Sequence, residues 1–145
     1  MIKMNVEEMA GYLEEVFPQV EGMFGIDRID DELIVMRLHN HDRHLRPGGT
    51  VSGPAMFSLA DVAAYVAVLA HVGREALAVT THCSIDFMRK PEAGVDLLAE
   101  GRVLKLGKAL AVIDVLLFSE GNRQAVAHAS LTYSIPPKRV ERQAG

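Results

Sequence analysis

The chain of 145 residues has no tryptophan, a single cysteine, and aromatic residues at only 6% of its length. One cysteine, Cys83, excludes an intrachain disulfide framework. That usage suits a reducing compartment, so a cytoplasmic location is expected. Cys83 sits in a strand-like stretch with no base near it in sequence and reads as a packing residue, not a nucleophile. Cationic residues are also few. Fifteen Lys and Arg face nineteen Asp and Glu, for a net charge of −4. An overall basic footprint for nucleic acid is therefore excluded. The N-terminal stretch MIKMNVEEMAGYLEEVF is acidic and lacks the basic-then-apolar layout of a secretion signal. One long apolar run does exist, from Pro54 to Val72, but Asp61 stands at its centre. A charge there costs roughly 3 kcal/mol in a membrane helix. A buried core helix is the better reading, and neither a membrane nor a nucleic-acid partner is expected.

What remains is an ordinary globular composition, 49% hydrophobic and 23% charged, at the length of one domain spanning 1–145. Asn5 can cap an N-terminal helix within 1–18, with Glu7 and Glu8 at its positive end and Met9, Tyr12, Leu13, Val16 and Phe17 on one face. Pro18 ends it. FGIDRIDDELIVMRLH reads as two strands around an Asp30-Asp31-Glu32 turn. A polar loop from His39 to Gly49 comes after them. Ser52 or Gly53 then caps a helix with Pro54 in its first turn, where a missing N–H is tolerated. This helix runs to about Val72, and Gly73 suits its C-terminal end. Four strand-like runs of about a dozen residues come next, broken by Pro91 to Gly94, Gly107-Lys108 and Glu120 to Asn122. The tail at 137–145 is polar and reads as frayed. The predicted fold is α+β: a long central helix wrapped by a curved antiparallel sheet of about five to six strands.

The stretch RHLRPGGTVSGPAMFSLADVAAY (Arg43 to Tyr65) resembles the hotdog fold, and more narrowly the phenylacetate-degradation (PaaI) type of acyl-CoA thioesterase. That family reads roughly Asn-Pro-x-Gly-x-x-His-Gly-Gly, then Leu-x-x-Leu-x-Asp on the helix. Here the order is Arg46, Pro47, Gly48, Gly49, then Ser52, Gly53, Pro54, and later Met56, Leu59 and Asp61. AVTTHCSIDFMRKPEAG, LKLGKALAVIDVLL and AVAHASLTY are similar to its later strands, so the resemblance covers about residues 20 to 135. Three positions depart from the pattern. Arg46 stands for the family's Asn, Ser52 for its His, and Pro54 for its second Gly.

The resemblance implies hydrolysis of an acyl-CoA thioester. Coenzyme A is then part of the substrate, and no separate cofactor or metal is implied. A thioester carbonyl gains negative charge as it is attacked, and a backbone donor aimed at that oxygen is worth roughly 3 kcal/mol. Gly53 at a helix N-terminus is the candidate donor, and Asp61 the candidate general base or nucleophile. Eight residues separate them, about 12 Å along a helix. One thioester carbon can hardly meet both on one chain, so a homodimer with composite sites is expected, assembled further as a dimer of dimers. Arg46, Gly49, Ser52, Tyr65 and His44 are candidate substrate contacts, His44 as a replacement for the missing family His. Plain turn and capping roles for Gly49 and Ser52, and core packing for Tyr65, are the alternatives. Arg89, Lys90, Lys105 and Lys108 are candidates for one patch holding the coenzyme A phosphates. Met23, Phe24, Met56, Phe57, Tyr65 and Met88 are candidates for an apolar acyl pocket.

HNHDRH (His39 to His44) invites comparison with the metallo-hydrolase motif His-x-His-x-Asp-His, but Arg43 stands where the Asp belongs. It reads as a polar loop rimming the site. Two other functions stay open. A hydratase or dehydratase of the same fold would pair His44 with Asp61, and a non-catalytic acyl-CoA binder or sensor would bind without turnover.

Overall fold

A computed structural model describes residues 1–20 and 22–137. Helix α1 (Val6–Val16) starts with a full capping box. Asn5 Oδ1 accepts from the Glu8 N–H at 2.8 Å, and Glu8 Oε1 accepts from the Asn5 N–H at 3.2 Å. Met9, Tyr12 and Leu13 form its buried face. Pro18 ends the α-helix, and a short 3-10 turn (Pro18–Val20) leads to strand β1 (Phe24–Ile29). The turn after β1 is organised by Asp30, whose Oδ1 accepts from the N–H groups of Glu32 and Leu33, both at 2.9 Å.

Strands β2 (Ile34–Leu38), β3 (Val79–Phe87), β4 (Leu97–Leu106), β5 (Leu110–Ser119) and β6 (Ala127–Ser134) complete one six-stranded sheet. Its order is β1-β2-β4-β5-β6-β3, antiparallel throughout. Helix α2 (Gly53–Val72) lies against it. Thirteen of its twenty residues are buried, as expected of a helix that is apolar all round. It is long and apolar enough to cross a membrane, yet here it forms the centre of the core. Small side chains on the inner face, Ala99, Ala111, Ala127 and Ala129, are fully buried with the alanines of α2, which lets helix and sheet approach closely. This is the hotdog fold. The polar tail from 138 onward lies outside the described residues.

Two features of the sheet bear on the surroundings of Asp61. The register Thr80↔Tyr133 places those two side chains beside each other on the inner face. Strand β3 lies at the end of the strand order and, among the described residues, pairs only with β6, which leaves its other edge open there. Leu77, Val79, Phe87 and Met88 along it are 47 to 71% exposed.

Candidate active site

Asp61 emerges from the middle of α2 toward the start of β3 and the end of β6. Its Oδ1 accepts from Thr80 Oγ1 at 2.6 Å and from the Tyr133 hydroxyl at 2.7 Å. The same hydroxyl lies 2.9 Å from the Asp61 backbone oxygen. Among the described residues no donor reaches Oδ2, so one oxygen fixes the carboxylate and the other is left for chemistry. Burial, and then the Asp61 charge, push the Tyr133 hydroxyl above the usual tyrosine range, so it stays a donor. Asp61 lines a cavity of about 430 Å³ whose walls are otherwise mostly apolar. The spacing of Phe57, Ser58, Asp61, Val62 and Tyr65 puts one stripe of α2 along it.

Gly53 opens a second cavity of about 420 Å³ at the N-terminus of α2, lined also by Arg46, Met56, Arg89 and Lys90. The cap leaves one donor there. Pro54 has no N–H, the Ala55 N–H goes to Ser52 Oγ at 3.3 Å, and the Met56 N–H goes to the Ser52 carbonyl at 3.0 Å. The Gly53 N–H has no partner among the described residues. The two cavities share no lining residue.

The other sequence candidates fall into separate places. Ser52 is the N-cap of α2, and Gly48 and Gly49 take positive φ angles of 103° and 81° in a tight turn, so the capping and turn readings describe them. Tyr65 lines the Asp61 cavity, but its hydroxyl donates to the Ala76 carbonyl at 2.8 Å and not to the carboxylate. Met23, Phe24 and Phe57 join it around Asp61, whereas Met56 and Met88 line the Gly53 cavity.

His44 is not on the rim: it is 6% exposed, lines neither cavity, and among the described residues no well-formed hydrogen bond reaches either ring nitrogen, although the His39 backbone lies near. Its surroundings push its pKa down: burial first, opposed by the nearby His39 backbone, with the Arg43 and His41 charges adding to the downward push. His39 lies 4.0 Å from Asp96, a carboxylate already engaged by Arg37 at 2.9 Å.

The expected single patch of four cations does not form within one chain. Arg89 and Lys90 sit just past the end of β3, beside Gly53, whereas Lys108 lies with His71 and Val72 at the other end of α2. Lys105 precedes the same β4–β5 turn. The reason is topological. Strands β3 and β4 are not neighbours, and the β4–β5 turn lies at the end of the sheet where β3 begins, with β6 between them, about 30 Å along the strands from where β3 ends.

Thr80 and Tyr133 are the residues that sequence reasoning missed. Both lie in stretches that carry the family resemblance, but only the β3–β6 register joins them to Asp61.

The fold and this carboxylate site define a thioesterase-like hotdog protein. The family model of the thioesterase superfamily matches residues 48–126, and the chain belongs to that superfamily. A crystal structure of a candidate thioesterase from Silicibacter sp. TM1040 is 60% identical, covering 94% of this chain and 95% of its own, with a TM-score of 0.89. A mutant of the phenylacetic acid degradation protein PaaI from Thermus thermophilus is 25% identical, over 82% of this chain and 99% of its own, with a TM-score of 0.70. Zebrafish thioesterase superfamily member 2, at 20% identity, covers 92% of this chain and 100% of its own with a TM-score of 0.80, and so shares the fold. Among curated proteins, no sequence matched.

Proposed function

We propose that the protein hydrolyses an acyl-CoA thioester to a free acid and coenzyme A, as a homodimer with two composite sites. The observation that carries this reading is Asp61, held through Oδ1 by Thr80 and Tyr133, with no donor on Oδ2 among the described residues, in the wall of a mostly apolar cavity. In the simplest mechanism Oδ2 takes a proton from a water as its oxygen attacks the thioester carbon. The carbonyl oxygen becomes an oxyanion and accepts the Gly53 N–H of the second chain, strengthened by the positive end of α2. Collapse then breaks the C–S bond and releases coenzyme A as thiolate. Direct attack by Oδ2, through an anhydride that water then hydrolyses, uses the same groups. No cofactor beyond the substrate's own coenzyme A enters either route.

Separate cavities for Asp61 and Gly53 support the second chain's role, because the two groups serve one carbonyl only across an interface. The open β3 edge with its exposed apolar side chains is the surface proposed to pair, and a dimer of dimers the further assembly. Arg46, Arg89 and Lys90 beside Gly53 are the proposed phosphate contacts, in a protein proposed to work in the cytoplasm.

Thiol release over a panel of acyl-CoAs tests the function. Asp61→Asn is expected to lose at least about a hundredfold in kcat. Full activity in that variant would remove Asp61 from the mechanism. Binding without turnover by the wild type would make the protein a sensor.

A further inference from the structure

Beside the Asp61 cavity lies a smaller one of about 170 Å³, between α1 and the β1–β2 pair, open to solvent past Ala10, Glu14 and Gly22. Four side chains, Phe17, Val20, Phe24 and Val62, line both. They are therefore a partition with open space on each side. Phe24 and Val62 belong to β1 and α2. Phe17 comes from the C-terminal end of α1, where its N–H bonds to the Leu13 carbonyl at 2.8 Å. Its ring meets Tyr65 edge to face, with centroids 6.1 Å apart and planes at 89°. Tyr65 is fixed in turn by its bond to the Ala76 carbonyl. Phe17 thus stands against a rigid wall of the reaction cavity, and Leu13 and Met36 line the space behind it.

We propose that Phe17 sets the length of acyl chain the enzyme accepts, by closing the rear cavity to a chain whose thioester sits at Asp61. This deepens, and rests on, the thioester hydrolysis proposed above. The ligand is a linear alkyl chain, because the partition is apolar and the space behind it is lined mostly by apolar side chains, Glu14 at its edge being the exception. The rear cavity is close in size to an apolar cavity of about 150 Å³ that accepts benzene, so it has room for about six further carbons. Each methylene buried there strengthens binding about fourfold.

The test is a kcat/KM profile over saturated acyl-CoAs from two to eighteen carbons, for wild type, Phe17→Ala, Phe17→Leu and Asp61→Asn, with thermal unfolding of each. The expected result is a shift of the preferred chain by about four to six carbons in Phe17→Ala and a smaller shift in Phe17→Leu, with the long-to-short ratio of kcat/KM rising at least about tenfold. Should Phe17→Ala fail to fold, the Phe17→Leu ratio decides. An unchanged profile in a folded Phe17 variant, with Asp61→Asn inactive, overturns the gate and leaves the hydrolase standing. Absence of Asp61-dependent hydrolysis from the wild-type profile overturns both.

Discussion

The Tyr133 hydroxyl lies 2.7 Å from Asp61 Oδ1 and 2.9 Å from the Asp61 carbonyl oxygen, so a side chain from the last strand grips both the reactive residue and the backbone of the helix carrying it. A hydrogen bond to a charged group is worth about 1.5–3 kcal/mol. Tyr133→Phe should lower kcat at least about tenfold with KM within about twofold, since the bond orients the carboxylate and does not hold substrate. Steady-state kinetics check this. A change confined to KM would place Tyr133 in substrate binding instead.

Thr80→Val removes the other donor to the same oxygen. With both donors on one carboxylate oxygen, the two substitutions should couple. The double variant is expected to lose less than the product of the single losses, by a coupling energy of about 0.5–3 kcal/mol in a double-mutant cycle.

Gly53 offers a cleaner test of the composite site. A Cβ there would stand 3.6 Å from the Phe87 ring, an ordinary contact, so Gly53→Ala should fold with little change in melting temperature and report on ligand approach to the N–H. Mixing Gly53→Ala and Asp61→Asn chains puts both lesions in one site of a mixed dimer and none in the other. Random reassortment makes about half the dimers mixed, each with one intact site of two, so about a quarter of wild-type activity should return. Activity no greater than the sum of the separate variants would mean that each chain works alone.

His44 carries a cost in the folded state, two buried ring nitrogens that find no well-formed hydrogen bond among the described residues. Burial lowers its folded pKa below the ordinary 6.5, so the unfolded chain takes up its proton first as pH falls. Its contribution is intact above pH 6.5 and is lost as pH falls through the folded value. His44→Phe should raise stability at neutral pH by about 1–2 kcal/mol and flatten its decline just below pH 6.5, measured by urea unfolding.

A second acid window lies lower. Arg123 binds Glu100 with both nitrogens, at 2.5 and 3.2 Å, and stacks on Phe118 at 4.1 Å. That pairing holds the Glu100 carboxyl below its ordinary 4.5. Asp96 is pulled below its ordinary 3.8 by the Asn40 N–H and Arg37, against the upward push of its partial burial. Both contributions are present above those ordinary values and disappear as pH falls through the lower folded ones. Arg123→Met should therefore shift acid unfolding to higher pH while leaving the His44 window unchanged, as followed by circular dichroism.

Much of this was legible along the chain. Asn5 with Glu8, Pro18, the Ser52-Gly53-Pro54 helix start and Gly73 are local signals, because capping and chain breaking involve residues within about one turn of each other. The distance between Gly53 and Asp61 comes from helical rise alone, and with it the expectation of a second chain. Other features depended on who faces whom across the sheet. Thr80 is 19 residues from Asp61 and Tyr133 is 72, and nothing local in either strand specifies a register of Thr80 against Tyr133. The same strand order put β3 at an edge and parted Arg89 and Lys90 from Lys105 and Lys108, and the packing of the loop before α2 buried His44 where a polar rim was expected. Sequence by itself determined the elements, their caps and the spacing of Asp61 from Gly53, since these rest on contacts of a few residues. Only the tertiary structure decided which side chains hold the carboxylate and which cations share a cavity. Those contacts exist only once distant strands have paired around the helix.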